Sequence, residues 1–419
     1  MRLNRTKTPL AAIAASAVLA LGLAACGGDG DTGGAQGGTT TTMTGTAMDH
    51  SSMAPAAATQ AVELRANLNR LLAEHAFLAS LAMQKGHDGA RDFDQVAGAL
   101  EQNTVELGEA IGSVYGDEAE TEFLRLWRQH IGFFVDYTTA TAQDDDAGRR
   151  EARQNLDGYR QAFATFLAGA NPNLQADGVA GLLQSHVNQL ANALDAHAAG
   201  NHQRAYAQIR EGYAHMFMTG DGLSGAIVQQ FPDRFGGDPS TDAADLRMNL
   251  NRLLGEHALL AHVAMQKGLD GARDFDQAAA ALERNTVELG DAIGSVYGPE
   301  ARRAFLAQWR AHIGFFVDYT TAVAGGDEEA QREALSNLDG YTEGFSRFLA
   351  GANPNLDAAT LREGLQMHVA QLREAIDAYR AGEHETAYAK VREAYAHMWG
   401  TGDALSGAIV KQFPEKFGS

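Results

Sequence analysis

A single cysteine, Cys26, occurs in a chain of 419 residues. One thiol cannot build an internal disulfide framework or a thiolate-rich zinc site. Basic residues are also scarce, because 33 Lys and Arg stand against 53 Asp and Glu, a formal net charge of −20. An acidic surface of this kind repels nucleic-acid phosphates and attracts cations, so a nucleic-acid-binding function is excluded.

The sequence also lacks the short motifs on which several enzyme classes depend. It has no Gly-x-Ser-x-Gly elbow for a serine nucleophile and no glycine-rich phosphate loop. The paired Glu-x-x-His motifs of carboxylate-bridged di-iron centres are missing as well. We therefore assign no catalytic residue and favour a non-enzymatic function.

Residues 1–25 have the order of a secretory signal peptide. Three basic residues occur among the first seven, residues 10–23 are apolar, and small residues follow them. The apolar run is shorter than the roughly 20 residues that a membrane-spanning helix needs. The end of this segment, Leu23-Ala24-Ala25-Cys26, resembles a bacterial lipobox, which implies a lipid anchor on Cys26. We expect a lipoprotein held at the extracytoplasmic side of the cell membrane; the alternatives are an ordinary signal peptide or a buried apolar helix.

Residues 26–60 are rich in Gly, Thr, Ala and Ser, a composition that predicts a flexible tether. Four side chains in this spacer, Met43, Met48, His50 and Met53, carry thioether or imidazole groups that suit copper. The segment resembles the Met/His-rich stretches of bacterial copper-resistance proteins, which implies metal capture. The alternative is drift in a low-complexity linker.

The rest of the chain is a tandem duplication. Residues 64–235 align with residues 246–417 at a constant offset of 182 without a gap, and about two-thirds of the positions are identical. A Gly-, Pro- and Ser-containing joint follows the first copy. We predict two helical domains, residues 61–236 and residues 243–419.

Each copy shows the three- and four-residue spacing of amphipathic helices, and no stretch alternates with period two. Glycine and asparagine interrupt this pattern at residues 86–89, 116, 144–148, 171–173 and 200–201, where helix ends are expected. We predict an all-α fold with six helices, or three helical hairpins, per copy. The alternative is a four-helix bundle with two shorter accessory helices.

Histidines recur on apolar helix faces, and acids follow them at similar spacing on the next helix. In the first copy the candidate ligands are His75, His130, His186, His215, Glu101, Asp157 and Glu211. In the second copy they are His257, His312, His368, His397, Glu283, Asp339 and Glu393. Three further histidines, His87, His197 and His262, have no counterpart in the other copy.

Two interpretations of these residues remain open. In one, each buried imidazole pairs with an acid across its hairpin and only stabilises the fold. In the other, imidazoles from several helices converge with acids on a transition metal, with copper preferred over zinc or iron. We favour a surface-anchored metal-binding lipoprotein. The alternatives are a structural or interaction module without metal and a metal-dependent oxidoreductase.

The helical copies, across most of residues 64–419, resemble secreted helical modules of Gram-positive bacteria that carry a copper-amine-oxidase-like label. The resemblance implies an extracytoplasmic helical protein with a link to copper. The Asn-Tyr-Asp/Glu signature of true copper amine oxidases is absent from this sequence. The resemblance therefore implies no oxidase activity.

Overall fold

The structure, a computed structural model, describes residues 57–417. The predicted signal peptide, the predicted lipidation site Cys26 and the segment with Met43, Met48, His50 and Met53 lie outside these residues. Within them the fold is all-α, as predicted, and both copies belong to one compact unit. No helix in this range combines the length and apolar character needed to cross a bilayer.

The first copy has the six predicted helices. They are α1 (Gln60–Asp88), α2 (Phe93–Tyr115), α3 (Asp117–Ala142), α4 (Asp146–Ala170), α5 (Ala176–Ala198) and α6 (His202–Gln230). Each helix has 23 to 29 residues, so the alternative with two shorter accessory helices does not hold. The interruptions in the sequence pattern lie between these helices, which explains why their number was predictable.

The second copy repeats this order. Its helices are α7 (Asp242–Leu269), α8 (Phe275–Gly325), α9 (Glu328–Ala352), α10 (Ala358–Ala381), α11 (His384–Gln412) and a short α12 (Pro414–Phe417). Helix α8 contains a kink at Gly298, whose φ of 88° equals that of Gly116 between α2 and α3. This positive φ favours glycine, so the same turn joins the corresponding helices in both copies.

Side chains at the helix ends fix several boundaries. The Thr59 hydroxyl accepts a hydrogen bond from the Val62 amide at the start of α1, and Asp145 caps two amides at the start of α4. Gly89 ends α1 in the left-handed region, with φ 60° and ψ 38°. These contacts satisfy amides and carbonyls that a helix end leaves unpaired.

Helix α1 lies at the centre of the first copy. It packs against α2, α3, α5 and α6, and most of its side chains are buried. Helix α7 has the same position in the second copy. Most residues of α1 and α7, polar as well as apolar, are therefore held away from water.

The two copies pack through equivalent surfaces. Phe217 and Trp399 occupy the same position in the repeat, and their rings stack with centroids 5.6 Å apart. Arg392 of the second copy binds Glu74 of the first at 2.9 Å, and Arg210 of the first binds Glu256 of the second at 2.9 Å. Such reciprocal contacts define an approximate twofold relation between the copies.

The glutamates of this interface are deeply buried. Their side chains are 1% exposed, and Glu74 also accepts a hydrogen bond from the Asn103 amide at 2.9 Å. A buried carboxylate without its cation is strongly destabilising, because little water remains to solvate it. The arginine of each copy is therefore required for the stability of the other.

We expect Arg392→Ala to lower the free energy of unfolding by about 3–5 kcal/mol, because it leaves the Glu74 carboxylate without its arginine. The matched control is Arg125→Ala, whose Glu122 partner lies on the surface, and it should lower the free energy of unfolding far less than Arg392→Ala. Urea unfolding at neutral pH measures both changes. Equal destabilisation by the two variants would contradict this account of the interface.

Candidate metal centres

Three histidines from three helices meet in the interior of the first copy. His75 lies on α1, His130 on α3 and His186 on α5, and all three are buried. The Nε2 atoms of His75 and His130 are 3.4 Å apart, and one nitrogen of each ring lies within 4.8 Å of the others. We call His75, His130 and His186 the buried trio; its members could hold a metal ion.

Aromatic side chains surround the rings of the buried trio. Trp127 lies one helical turn before His130, and its ring centroid is 4.7 Å from both His75 and His130. Tyr159 stacks on His130 at 4.8 Å with an interplanar angle of 19°. These bulky neighbours restrict the rings, so the imidazoles are held close together before any ligand binds.

Burial keeps these imidazoles neutral. It lowers the pKa of His130 to about 3, with a further contribution from the neighbouring His186. Burial, together with His215, lowers the pKa of His186 to about 3. For His75, burial and the two other rings place the pKa well below its ordinary value. A neutral imidazole has a free lone pair, which is the form that binds a metal.

Several nitrogens of the buried trio have no hydrogen-bond partner among the described residues. These are Nδ1 of His75 and both ring nitrogens of His186. A buried polar atom without a partner costs free energy. At His186, where both ring nitrogens lack a partner, a metal ion or a bound water would supply one.

A largely apolar cavity of about 240 Å³ adjoins the buried trio. His130, His186 and Tyr159 contribute to its wall, together with leucine and phenylalanine side chains. The imidazoles thus face a space with few other polar groups. A charged species there would depend on the histidines for its solvation.

The second copy contains the same three histidines in a slightly wider arrangement. The ring centroids of His257 and His312 are 5.4 Å apart, as in the first copy. The centroids of His257 and His368 are 6.2 Å apart, against 5.8 Å for His75 and His186. The first copy therefore has the more compact set of ligands.

The acids predicted to join these histidines lie elsewhere. Glu101 is at the surface, where it binds Arg128 at 2.6 Å, and Glu283 binds Arg310 in the same way. Asp157 and Asp339 are exposed near Arg160 and Arg362. Glu211 and Glu393 are also exposed and contact Gln208 and Lys390. The expected histidine–carboxylate contacts across the hairpins are thus replaced by surface pairs, because these acids lie on the outer faces of their helices.

The histidines of the last helix of each copy are held by the backbone of the preceding helix, and the His397 ring also stacks with that of His368 at 6.4 Å. His215 shares a hydrogen bond of 2.9 Å with the Leu182 carbonyl, and His397 shares one of 2.9 Å with the Gly364 carbonyl. Because the carbonyl oxygen accepts, the Nε2 atom carries the proton and has no free lone pair in that form. The Nε2 atom of each ring is therefore occupied in a helix-to-helix contact, and Nδ1 keeps the free lone pair.

A second group of ligand atoms, which the sequence analysis did not connect, lies where three helix ends meet. It comprises His87 and Asp88 at the end of α1 and His197 near the end of α5. His197 also forms a group with His202 and Asp274. The one signal in the sequence is that residues 87 and 197 differ between copies, as Leu269 and Tyr379 stand in the second.

The fold and these histidine groups define an all-helical tandem-repeat protein with several sites that could hold a metal ion. Comparison with known protein families, with curated proteins and with solved structures found no match.

Acid should destabilise the fold through the buried histidines. Because burial lowers their pKa, they stay neutral in the folded chain while the unfolded chain binds protons below about pH 6.5. Stability is therefore greatest above pH 6.5 and falls toward pH 3. Between pH 7 and pH 5, each such histidine should lower the free energy of unfolding by about 2 kcal/mol.

The variant His130→Phe tests this expectation. Between pH 7 and pH 5 the free energy of unfolding should decrease in both proteins. The decrease should be about 2 kcal/mol smaller in the variant, because it lacks the His130 imidazole. Denaturant unfolding at both pH values, with a chelator present, gives the comparison. Identical pH dependence in the two proteins would show that His130 does not titrate in this way.

Proposed function

We propose that the protein is a non-enzymatic, transition-metal-binding lipoprotein of the extracytoplasmic cell surface, with copper as its metal. The observation that carries the proposal is the meeting of three buried, neutral imidazoles from three helices, with one ring nitrogen of each within 4.8 Å of the others. Facing side chains from several helices are the usual source of metal sites in helical bundles. Imidazole nitrogen suits copper, zinc, iron and nickel.

The surroundings of the buried trio favour a cation of low charge. His75, His130 and His186 are neutral, and the acids predicted as partners lie at the surface. Since the cost of burying an ion rises with the square of its charge, Cu⁺ would be held more easily than a divalent ion. The imidazoles would hold the ion, and the aromatic side chains beside them would exclude water from it.

A copper function also agrees with the composition of the segment before α1. Its three methionines and His50 are soft or borderline ligands for copper. In this proposal they capture the ion, and the helical copies store it. The net charge of −20 would raise the local concentration of cations.

One observation favours a purely structural role instead. The 3.4 Å contact between the Nε2 atoms of His75 and His130 is short enough for one neutral ring to donate to the other. In that case the buried trio joins α1, α3 and α5 without a metal. Metal uptake distinguishes the two functions.

We expect metal-free full-length protein to take up one tightly bound Cu⁺ per helical copy, with the first copy binding more tightly because its histidines lie closer together. Removing one ring from each site, in His130→Phe/His312→Phe, should abolish both. The matched control His215→Phe/His397→Phe removes rings that contact backbone carbonyls and should retain both equivalents. All proteins carry alanine at Met43, Met48, His50 and Met53.

Competition with a chromophoric Cu⁺ chelator under reducing conditions measures this uptake. Bound copper should also raise the melting temperature, since it stabilises only the folded chain. Equal copper binding by the His130→Phe/His312→Phe variant and its parent would exclude the buried histidines as ligands.

The anchoring part of the proposal rests on the lipobox-like residues that end at Cys26. Cys26→Ser removes the only thiol that a lipid could modify. We expect this variant to leave the membrane fraction and enter the medium or the soluble envelope fraction. Retention at the parent level in the membrane fraction would refute the anchor at this position.

A further inference from the structure

A second set of ligand atoms lies at the surface near the end of α1, away from the buried trio. His87 and Asp88 are the last two residues of α1, and His197 lies in the last turn of α5. His202 is the first residue of α6. The turn between α5 and α6 therefore packs beside the end of α1 and brings these side chains together.

The separations within this set are close to those in a metal site. Nε2 of His197 is 3.0 Å from both carboxylate oxygens of Asp88, and Nδ1 of His87 is 3.0 Å from Oδ1. A tetrahedral zinc ion with bonds of about 2.0–2.1 Å separates its ligand atoms by about 3.3–3.4 Å. Small side-chain shifts would thus admit an ion.

The protein surroundings differ from those of the buried trio in charge and access. The side chain of Asp88 is 45% exposed and that of His87 is 21% exposed, so an ion can enter from water. The His197 ring is 5% exposed and therefore firmly held. Burial alone would raise the pKa of Asp88, but hydrogen bonds with His197 and His87 outweigh it and lower that pKa.

A fourth imidazole adjoins the set. The ring centroid of His202 is 5.3 Å from that of His197, and the buried Nδ1 atoms of both rings have no partner among residues 57–417. Asp274 lies beyond His202 but is occupied, since it binds Lys267 at 2.8 Å and accepts the Tyr206 hydroxyl at 3.0 Å. The Lys267 charge makes Asp274 a poor ligand for a cation.

The second copy is an internal control for this set. Its backbone follows the same course, but Leu269 and Tyr379 stand where the first copy has His87 and His197. The Tyr379 hydroxyl donates a hydrogen bond to Asp270 at 2.8 Å, so this carboxylate has a neutral partner. The nitrogens of His87 and His197 therefore occur in the first copy only, whereas His202 has a counterpart in His384.

We propose that His87, Asp88 and His197 bind a divalent borderline cation such as Zn²⁺, with His202 as an additional ligand. Two imidazoles and a carboxylate are a common zinc donor set. The carboxylate neutralises part of the charge of a divalent ion, which the buried trio cannot do. This site is independent of the copper function proposed above.

The test uses the full chain with His130→Phe/His312→Phe and alanine at the four tether ligands, so that the other proposed sites cannot contribute. Zn²⁺ alone is titrated by calorimetry. The parent of this series should bind one Zn²⁺. The variant His87→Leu/His197→Tyr gives the first copy the residues of the second copy at these two positions, and it should not bind this ion. The reverse exchange, Leu269→His/Tyr379→His, should add one Zn²⁺.

His87→Leu alone guards against a folding defect, because this residue is partly exposed at a helix end. It should weaken Zn²⁺ binding at least tenfold while the helical circular dichroism and the melting temperature in chelator stay at the parent values. Unchanged Zn²⁺ binding in both His87→Leu and the double variant would overturn the site. Failure here leaves the copper proposal untouched, since that proposal depends on other histidines.

Discussion

Burial of the first helix of each copy is the constraint on which the rest of the structure depends. Helix α1 is enclosed by four neighbours, so its polar side chains must find partners inside the protein. Two consecutive residues show the result. Glu74 reaches Arg392 of the other copy, whereas His75 meets His130 within its own copy. The interface between the copies and the buried trio are thus fixed by adjacent positions on one helix.

The two candidate metal centres place the same type of ligand in different dielectric surroundings. The buried trio lies among aromatic rings with its charged neighbours at a distance, so neutral imidazoles are the stable form. At the end of α1 a half-exposed carboxylate contacts His87 and His197. The two centres have similar nitrogen donors, and they differ in whether a carboxylate compensates the charge of the ion. This difference determines which ion charge each centre can hold.

Much of the fold could be predicted from the sequence, but only part of the candidate sites. Helical periodicity identified the inward-facing histidines, and breaks such as Gly116 located the helix ends. The spacing between Glu101 and His75 indicates that they lie at similar heights along the bundle. It does not indicate which way each side chain points around its helix, and the predicted contact between them was wrong. The group formed by His87 and His197 depends on the packing of separate helix ends, which no local pattern encodes.

Covalent linkage of the two copies changes how their interface forms. Helix α6 ends at Gln230 and α7 begins at Asp242, so a short connection joins surfaces that match reciprocally. For separate chains this association would depend on protein concentration. Joined by a short linker, each copy meets the other at an effective concentration on the order of millimolar. The buried glutamates therefore find their arginines however dilute the protein is.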